Sequence, residues 1–404
     1  MRVLTITSEY PPAPVYSVGR YAFELNQALA HQEGADVHVL CQHMDGHHGC
    51  RLEHGVTVHA VDCAVPARAL DPVGETVLRN VPLAGKACEI AREHGPFDAV
   101  CLHDWPTALA GHAVASAFSL PAILFVHGTE VGRWQNRLTR SQLYSAELEA
   151  WAAEWARAIV ATSSSVREEL HEAYKVPRRK VTVIPPRAEA EAFAVDEDAD
   201  DLRTVLADPD QAIVLYIGRL CPSKGLDILL EAMRRVGEHH PEAKLVITGD
   251  GLPRRQLMEL AEGLEVPALF TGHIEGRALA AAYRCADVVV VPGRYEPTGI
   301  AALEAMACGR PLVISDVEGL REVVPAGAAL RVPVGDPQAV AQAICRILDD
   351  PEAAERLGHA AAEHAKPLSW ATAARRVRRL LNRLVSAGRG TQLRPIASVS
   401  VEEA

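Results

Sequence analysis

The stretch Tyr295-Glu296-Pro297-Thr298-Gly299-Ile300-Ala301-Ala302-Leu303-Glu304-Ala305-Met306-Ala307-Cys308-Gly309-Arg310-Pro311 carries the pattern on which the chain is organised. It follows an apolar run, Asp287 to Val291, that reads as a buried parallel strand. Pro292 and Gly293 end that strand. From Gly299 the pattern turns helical, rich in Ala, Leu, Glu and Met, until Gly309 and Pro311 stop it. A second apolar strand, Leu312 to Ser315, follows at once. Strand, loop, helix and strand make the repeating unit of an open α/β sheet, whose ligands bind at the carboxyl ends of the strands. Glu296 falls in the loop at that edge, and Glu304 lies eight residues on, along the helix. The helix N-terminus between them offers free N–H groups and a positive dipole end to a phosphate.

The same alternation fills the rest of the chain. Apolar runs at Val3–Thr7, Asp36–Cys41, Val56–Val61, Asp98–Leu102, Ala122–Val126, Ala158–Ala161 and Val181–Ile184 read as strands of a first half. Ile213–Ile217, Lys244–Thr248 and Ala268–Thr271 open a second series that ends in the stretch quoted above. Helical patterns separate them, which predicts parallel sheets with helices on both faces. A length of 404 residues favours two domains over one core. The hydrophobic fraction of 49% with 23% charged residues is that of a globular protein, and the net charge of −11 argues against a nucleic-acid binder. Nine scattered cysteines without a Cys-x-x-Cys suggest reduced thiols and a cytoplasmic location. The opening Met1-Arg2-Val3-Leu4-Thr5-Ile6 is too short an apolar run for a signal peptide, and no run is long enough to span a membrane.

Several strand ends carry groups suited to a phosphorylated ligand. Gly218-Arg219 ends the Ile213–Ile217 strand, and Lys224-Gly225 follows before a helix. Two cations at a helix start can cradle a diphosphate. The turns Gly249-Asp250-Gly251 and Gly272-His273 end the next two strands. In the first half, Glu9-Tyr10-Pro11-Pro12 precedes Ser17-Val18-Gly19-Arg20-Tyr21, with a helix expected from about Arg20 to His31. His103-Asp104-Trp105 and His127-Gly128-Thr129-Glu130 each follow a strand. The bland readings are solvated cations, a histidine satisfied within its loop and an exposed Glu-bearing helix start; the register of each motif directly after a strand favours function. Two other groups are discounted. The run from His43 through His47 and His48 to Cys50 matches no usual ligand spacing and reads as a polar loop. Asp196-Glu197-Asp198 lies in an acidic run where solvated charge is the simpler account.

Taken together, these motifs resemble the retaining GT-B glycosyltransferases with a Glu-x7-Glu signature, the family 4-like and glycogen-synthase-like enzymes. The resemblance runs from Arg2 to about Leu384 and is strongest from Gly218 to Glu322. It implies two Rossmann-like, doubly wound domains facing a cleft. The implied division is an acceptor-binding domain at 1–186, an acidic linker at 187–211, a nucleotide-sugar-binding domain at 212–366, a helix crossing back at 367–386 and a disordered tail at 387–404. His127, Arg219, Lys224 and Glu296 are then the catalytic candidates. Ser17, Gly218, Gly249, Gly272, His273, Thr298, Gly299, Ile300 and Glu304 are the candidates for holding the donor. Glu304 would take the ribose hydroxyls, Glu296 the transferred sugar, and Arg219 with Lys224 the diphosphate.

The resemblance also implies a hexosyltransferase with no cofactor beyond the nucleotide-diphosphate sugar, no metal, and an acceptor hydroxyl compound as its other partner. UDP- or ADP-linked glucosyl donors are weakly favoured; acceptor, oligomeric state and membrane contact stay open. This chain departs from the family pattern at Tyr16-Ser17, where relatives commonly carry Gly-Gly, and at Pro185-Pro186-Arg187, where they have Pro-Asn-Gly. It also lacks the Lys-x-Gly-Gly loop of starch synthases. Two rivals remain at this stage: a sugar-nucleotide epimerase or hydrolase on the same fold, and a non-catalytic nucleotide-sugar-binding protein.

Overall fold

The computed structural model describes residues 1–13, 16–43, 49–65, 71–135, 138–188, 193 and 199–388. The discounted groups at His47-His48 and Asp196-Glu197-Asp198 lie outside these residues.

The first half forms β1 (Arg2–Thr7), β2 (Asp36–His43), β3 (Gly49–Glu53), β4 (Val56–Asp62), β5 (Ala99–His103), β6 (Ala122–Val126), β7 (Ala158–Ala161) and β8 (Val181–Val183). They build one sheet in the order β3-β4-β2-β1-β5-β6-β7-β8. Every pairing is parallel except β3 with β4. The second half forms β9 (Ile213–Ile217), β10 (Lys244–Thr248), β11 (Ala268–Gly272), β12 (Val288–Val291), β13 (Leu312–Ser315) and β14 (Leu330–Val332). Their order is β11-β10-β9-β12-β13-β14, all parallel. The expected α/β architecture of two doubly wound lobes is present.

Each sheet is buried on both faces, as the continuous apolar runs require. In β1 and β2, Val3, Val37 and Val39 enter one core while Leu4, Ile6 and Leu40 enter the other. The helix Trp370–Gly388 leaves the second lobe and closes the first: Trp370, Ala373, Val377 and Leu381 pack with Val3, Tyr21 and Ile184.

Strand order positions the functional edge. In the first sheet it reverses between β1 and β5, and in the second between β9 and β12. The β1 and β5 loops therefore flank one crevice, and the β9 and β12 loops, with Arg219 and Glu296, flank the other.

Three local differences from the sequence reading have physical causes. The first helix spans Ser17–Glu33 rather than starting near Arg20. Its Tyr16 cap position makes no side-chain cap bond; instead Glu9 Oε2 accepts from Tyr16 N at 2.9 Å and Gly19 N at 3.3 Å. That remote carboxylate replaces the local Ser or Asp that marks a helix start in sequence. Part of the acidic segment, Ala199–Leu206, is helical because Leu206, with Leu202 beside it, joins the second lobe's core. β3 is an antiparallel edge strand inside a segment otherwise read as loop.

Candidate active site

One cavity gathers Tyr16, Ser17 and Arg20 from the first lobe with Gly218, Arg219, Lys224, Thr248, Gly249, His273, Glu296, Ile300 and Glu304 from the second. Of the thirteen residues singled out from sequence, Ser17, Gly218, Arg219, Lys224, Gly249, His273, Glu296, Ile300 and Glu304 meet here. His127 and Thr298 line an adjoining cavity of about 220 Å³, which shares Ser17, Arg219 and Lys224 with the first. Gly272 and Gly299 line neither, and act through the backbone. Gly299 caps the Ile300–Ala307 helix at φ 63°. Gly272 O accepts from Gly249 N at 2.8 Å, tying the two turns together. Gly249 has no room for a side chain: with φ at +139°, a Cβ would lie 1.9 Å from Gly218 O.

The charges are placed by strand ends. Lys224 Nζ lies 2.6 Å from Glu296 Oε2, and Glu296 is buried. Glu304 Oε2 accepts from the Tyr283 hydroxyl at 2.9 Å, while its Oε1 lies 3.7 Å from Arg20 Nε. Burial raises the Glu304 pKa, with Arg20 and the Tyr283 hydrogen bond pulling the other way. Arg219 has no carboxylate partner among the described residues. The ring of Tyr16 lies 5.6 Å from its guanidinium, a cation–π contact. Tyr16 also meets His273 edge-on at 5.4 Å, and its hydroxyl donates to Asp250 O at 3.2 Å. Tyr16 and the Arg20–Glu304 pair thus bridge the lobes across a cavity of only about 100 Å³. A larger cavity, about 690 Å³, sits beside Ala212, Asp287 and Pro311 at the opposite, amino ends of the strands, away from these groups.

The first lobe contributes a buried polar network. His127 Nε2 lies 2.9 Å from His103 Nδ1, and its backbone N–H donates to Asp104 Oδ1 at 2.8 Å. His127 Nδ1 is buried without a partner among the described residues. Burial lowers the His127 pKa to about 3, with Arg133 adding to the effect, so the ring is neutral at pH 7. Burial raises Asp104 to about 6 against the pull of Arg133, 3.5 Å away. Arg133 also pairs with Glu130 at 2.6 Å. Glu130 N donates to Glu149, whose pKa burial lifts to about 8.

Sequence reasoning passed over Arg20, Arg133, Glu149 and Tyr295. Tyr295 crosses the cleft: its hydroxyl accepts from Thr129 N at 3.0 Å and donates to Glu169 Oε2 at 2.7 Å. A Cβ on Gly128 would come within 3.1 Å of that ring, so the glycine after His127 serves lobe contact. The available signal for Arg20 was its place within Val18-Gly19-Arg20-Tyr21; Arg133, Glu149 and Glu169 carry no local signal.

Among known proteins, residues 18–188 match the model of Glycosyltransferase Family 4, and residues 198–364 that of Glycosyl transferases group 1. The glycogen synthase of Mycobacterium tuberculosis is 31% identical over 396 residues, covering 93% of this chain and 92% of that one. The D-inositol 3-phosphate glycosyltransferase of Kribbella flavida is 30% identical over 308 residues, 70% of each chain. The sucrose-phosphate synthase structure from Thermosynechococcus elongatus superposes with a TM-score of 0.82 at 26% identity, covering 96% of this chain and 99% of that one. Anabaena HepE, solved with UDP-glucose, gives a TM-score of 0.75 at 18% identity, over 95% of this chain and 100% of its own. On this sequence match, the motifs and the two-lobed fold, the chain belongs to the GT-B glycosyltransferases of the family 4 type.

Proposed function

We propose that this glycosyltransferase moves a glucosyl-type hexose from a UDP- or ADP-linked donor to an acceptor hydroxyl, with retention at the anomeric carbon and without a metal taking part in the transfer. The observation that carries the reading is the convergence of Arg219, Lys224, Glu296 and Glu304 on one cavity at the strand-order reversal of the second sheet. The names of the relatives support the sugar: a glycogen synthase by sequence and a sucrose-phosphate synthase by structure. Anabaena HepE holds UDP-glucose on the same fold.

In this reading the second lobe holds the donor. Glu304 accepts from the ribose hydroxyls, and Arg219 with Lys224 faces the diphosphate. The N-terminal turn of the Ile300–Ala307 helix adds its free N–H groups. Glu296 accepts from hydroxyls of the transferred sugar while paired to Lys224. During transfer the bond from the anomeric carbon to the phosphate oxygen breaks, and a bond to the acceptor oxygen forms on the same face. The leaving phosphate oxygen takes the acceptor proton, so no carboxylate nucleophile is needed. The cations stabilise the charge that builds on the leaving group. The first lobe receives the acceptor in the adjoining cavity, where the unpartnered His127 Nδ1 meets a hydroxyl.

The test is a panel of nucleotide sugars scored for thermal stabilisation and turnover, followed by acceptor screening with the best donor and NMR of the product's anomeric proton. Transfer of an α-linked hexose from an α-linked donor, undiminished in a chelator, is expected. An inverted product, or activity lost in chelator and restored by Mg²⁺ or Mn²⁺, overturns the mechanism. Release of free sugar with every acceptor tried favours the hydrolase reading.

A further inference from the structure

A second group of chemistry-bearing side chains lies in the first lobe, on the face of the sheet covered by the Pro72–His94 helix. His38 stands in β2, His59 in β4, and His94 is the last residue of that helix. One nitrogen of each lies within 4.8 Å of the others. The three ring centroids form a nearly equilateral triangle of 4.9, 5.3 and 5.4 Å. His38 and His59 are buried and His94 is half-buried, so the group is screened but reachable from solvent.

We propose that His38, His59 and His94 bind one Zn²⁺ as a tris-imidazole site that steadies the first lobe, with water in the fourth position. The nitrogens stand near the spacing an ion imposes, and the rings must turn and draw together to aim their lone pairs at it. Zn–N bonds of about 2.0–2.1 Å put two nitrogens on a tetrahedral ion about 3.4 Å apart. His38 Nδ1 and His59 Nε2 stand 3.0 Å apart, joined by a hydrogen bond. Their rings meet nearly head-on, so the metal-free protein holds a proton where the ion would enter. Zinc binding moves the His59 proton from Nε2 to Nδ1 and turns both rings toward the ion and His94. No proton is lost.

The Asp36 carboxylate faces the group, with the Arg2 guanidinium beyond it and Lys86 near His59. Asp36 Oδ1 lies 3.5 Å from His38 Nε2, which places the proton there and leaves Nδ1 as the ligand atom. A carboxylate behind a metal-bound histidine orients the ring and strengthens the ligand. Asp36 Oδ2 is held by Arg2 at 2.5 Å, and Arg2 also bonds the backbone oxygen of His94. Asp36, Arg2 and the helix end are therefore fixed to one another. The site sits at the helix C-terminus, the negative end of its dipole. Edge-on packing of Phe97 against His38 at 5.2 Å excludes water on one side.

The site is separate from the proposed sugar transfer, since His38 stands near the amino end of β2 whereas the cleft lies at the carboxyl ends of the strands. Its readout is accordingly metal content and stability rather than turnover. The experiment uses untagged full-length protein, stripped with chelator and dialysed, titrated with ZnCl₂ by calorimetry and with CoCl₂ by visible absorption. The expected result is one equivalent of metal per chain, a tetrahedral Co²⁺ band displaced by Zn²⁺, and a higher melting temperature with Zn²⁺. His94→Gln changes only a half-buried helix-end residue and is expected to keep its circular dichroism while losing at least tenfold in Zn²⁺ affinity. Asp36→Asn is expected to lower affinity about 10–100-fold. Substoichiometric binding by the native chain, or a His94→Gln protein that binds and is stabilised as the native chain is, overturns the assignment and places any bound zinc on other histidines.

Discussion

The two lobes meet the cleft with contrasting chemistry. In the second, Arg219 is free of carboxylates among the described residues, Lys224 has Glu296, and Glu304 is shared between Tyr283 and Arg20. In the first, His127, Asp104, Arg133, Glu130 and Glu149 are joined to one another by short, buried contacts. One side therefore offers charge to a ligand, while the other uses charge mainly to hold its own loops. Two atoms of that network are buried and unpaired among the described residues, His127 Nδ1 and Glu149 Oε1, and of the two only His127 lines a cavity. The contrast suits a diphosphate held strongly on one wall and an uncharged hydroxyl met by a neutral ring on the other. It also implies that substitutions in the second lobe act on ligand and rate, and those in the first mainly on structure.

The largest expected effect is at the cations. On the proposed reading, Arg219→Ala and Lys224→Ala each remove charge-assisted contacts to the diphosphate worth about 1.5–3 kcal/mol, which is about 10- to 150-fold in kcat/KM. Lys224→Ala also strands the buried Glu296, so its melting temperature is expected to fall. Unchanged turnover and donor affinity in both variants would break the comparison at its root. Next come the two carboxylates. Glu304→Ala is expected to weaken the free nucleoside diphosphate and the intact donor by similar factors, because ribose is common to both. Glu296→Ala is expected to leave the diphosphate nearly alone and lower kcat, because on the proposed reading its contact is to the transferred sugar. Calorimetry with both ligands on both variants separates them, and equal loss of diphosphate affinity would show that the carboxylates share one part of the donor.

This half of the site was legible because each element is local. Gly218-Arg219 and Lys224-Gly225 lie six residues apart in one strand–turn–helix, and Glu296 and Glu304 in another. Strand order then brings the two units together, and the apolar runs made that order expected in kind though not in detail. The first lobe's network is non-local: Glu149 reaches Glu130 from another helix, and Tyr295 reaches Thr129 from the other lobe. No spacing in the sequence encodes such contacts. Arg20 was missed for a related reason, since the cap of its helix comes from Glu9 and the start was placed too late. Thr298, which the resemblance implies holds the donor, lines the adjoining cavity together with Arg219 and Lys224. The zinc-site histidines are spread across three elements and became a group only through packing.

Tyr16 tests the border between the lobes. Its ring covers Arg219, and its hydroxyl is tied to Asp250 O. A cation–π contact at an exposed site is worth about 0.5–1 kcal/mol. Tyr16→Ala frees the guanidinium and is expected to tighten nucleoside diphosphate binding by about two- to fivefold in calorimetry. Weaker binding would mean that the ring packs on the ligand instead of competing with it for Arg219.

The smallest effect on the ligand, and the one that isolates the structural role of the first lobe, is at Glu149. Its Oε2 accepts from Glu130 N at 2.9 Å and from the Tyr174 hydroxyl at 2.5 Å, while Oε1 is buried without a partner among the described residues. Burial is the main cause that lifts its pKa from an ordinary carboxyl value to about 8, against the hydrogen bond from Tyr174. The sign follows from linkage. Below about pH 4.5 the group is protonated folded and unfolded, and it adds no slope. Between there and about pH 8 the folded chain keeps a proton that the unfolded chain releases, so rising pH erodes stability; above pH 8 the loss is complete. Glu149→Gln stays neutral throughout, and its amide oxygen can still accept both hydrogen bonds. The variant is therefore expected to match the native protein near pH 5 and to exceed it increasingly toward pH 9. At pH 9 the gain is expected to be at least about 1 kcal/mol, or roughly 2–4 °C in melting temperature for a lobe of this size. Donor affinity at pH 7 should not move, because Glu149 touches neither cavity. A melting difference that stays constant from pH 5 to pH 9 would show that Glu149 is ionised in the fold, and that the first lobe carries more fixed charge toward the cleft than its contacts imply.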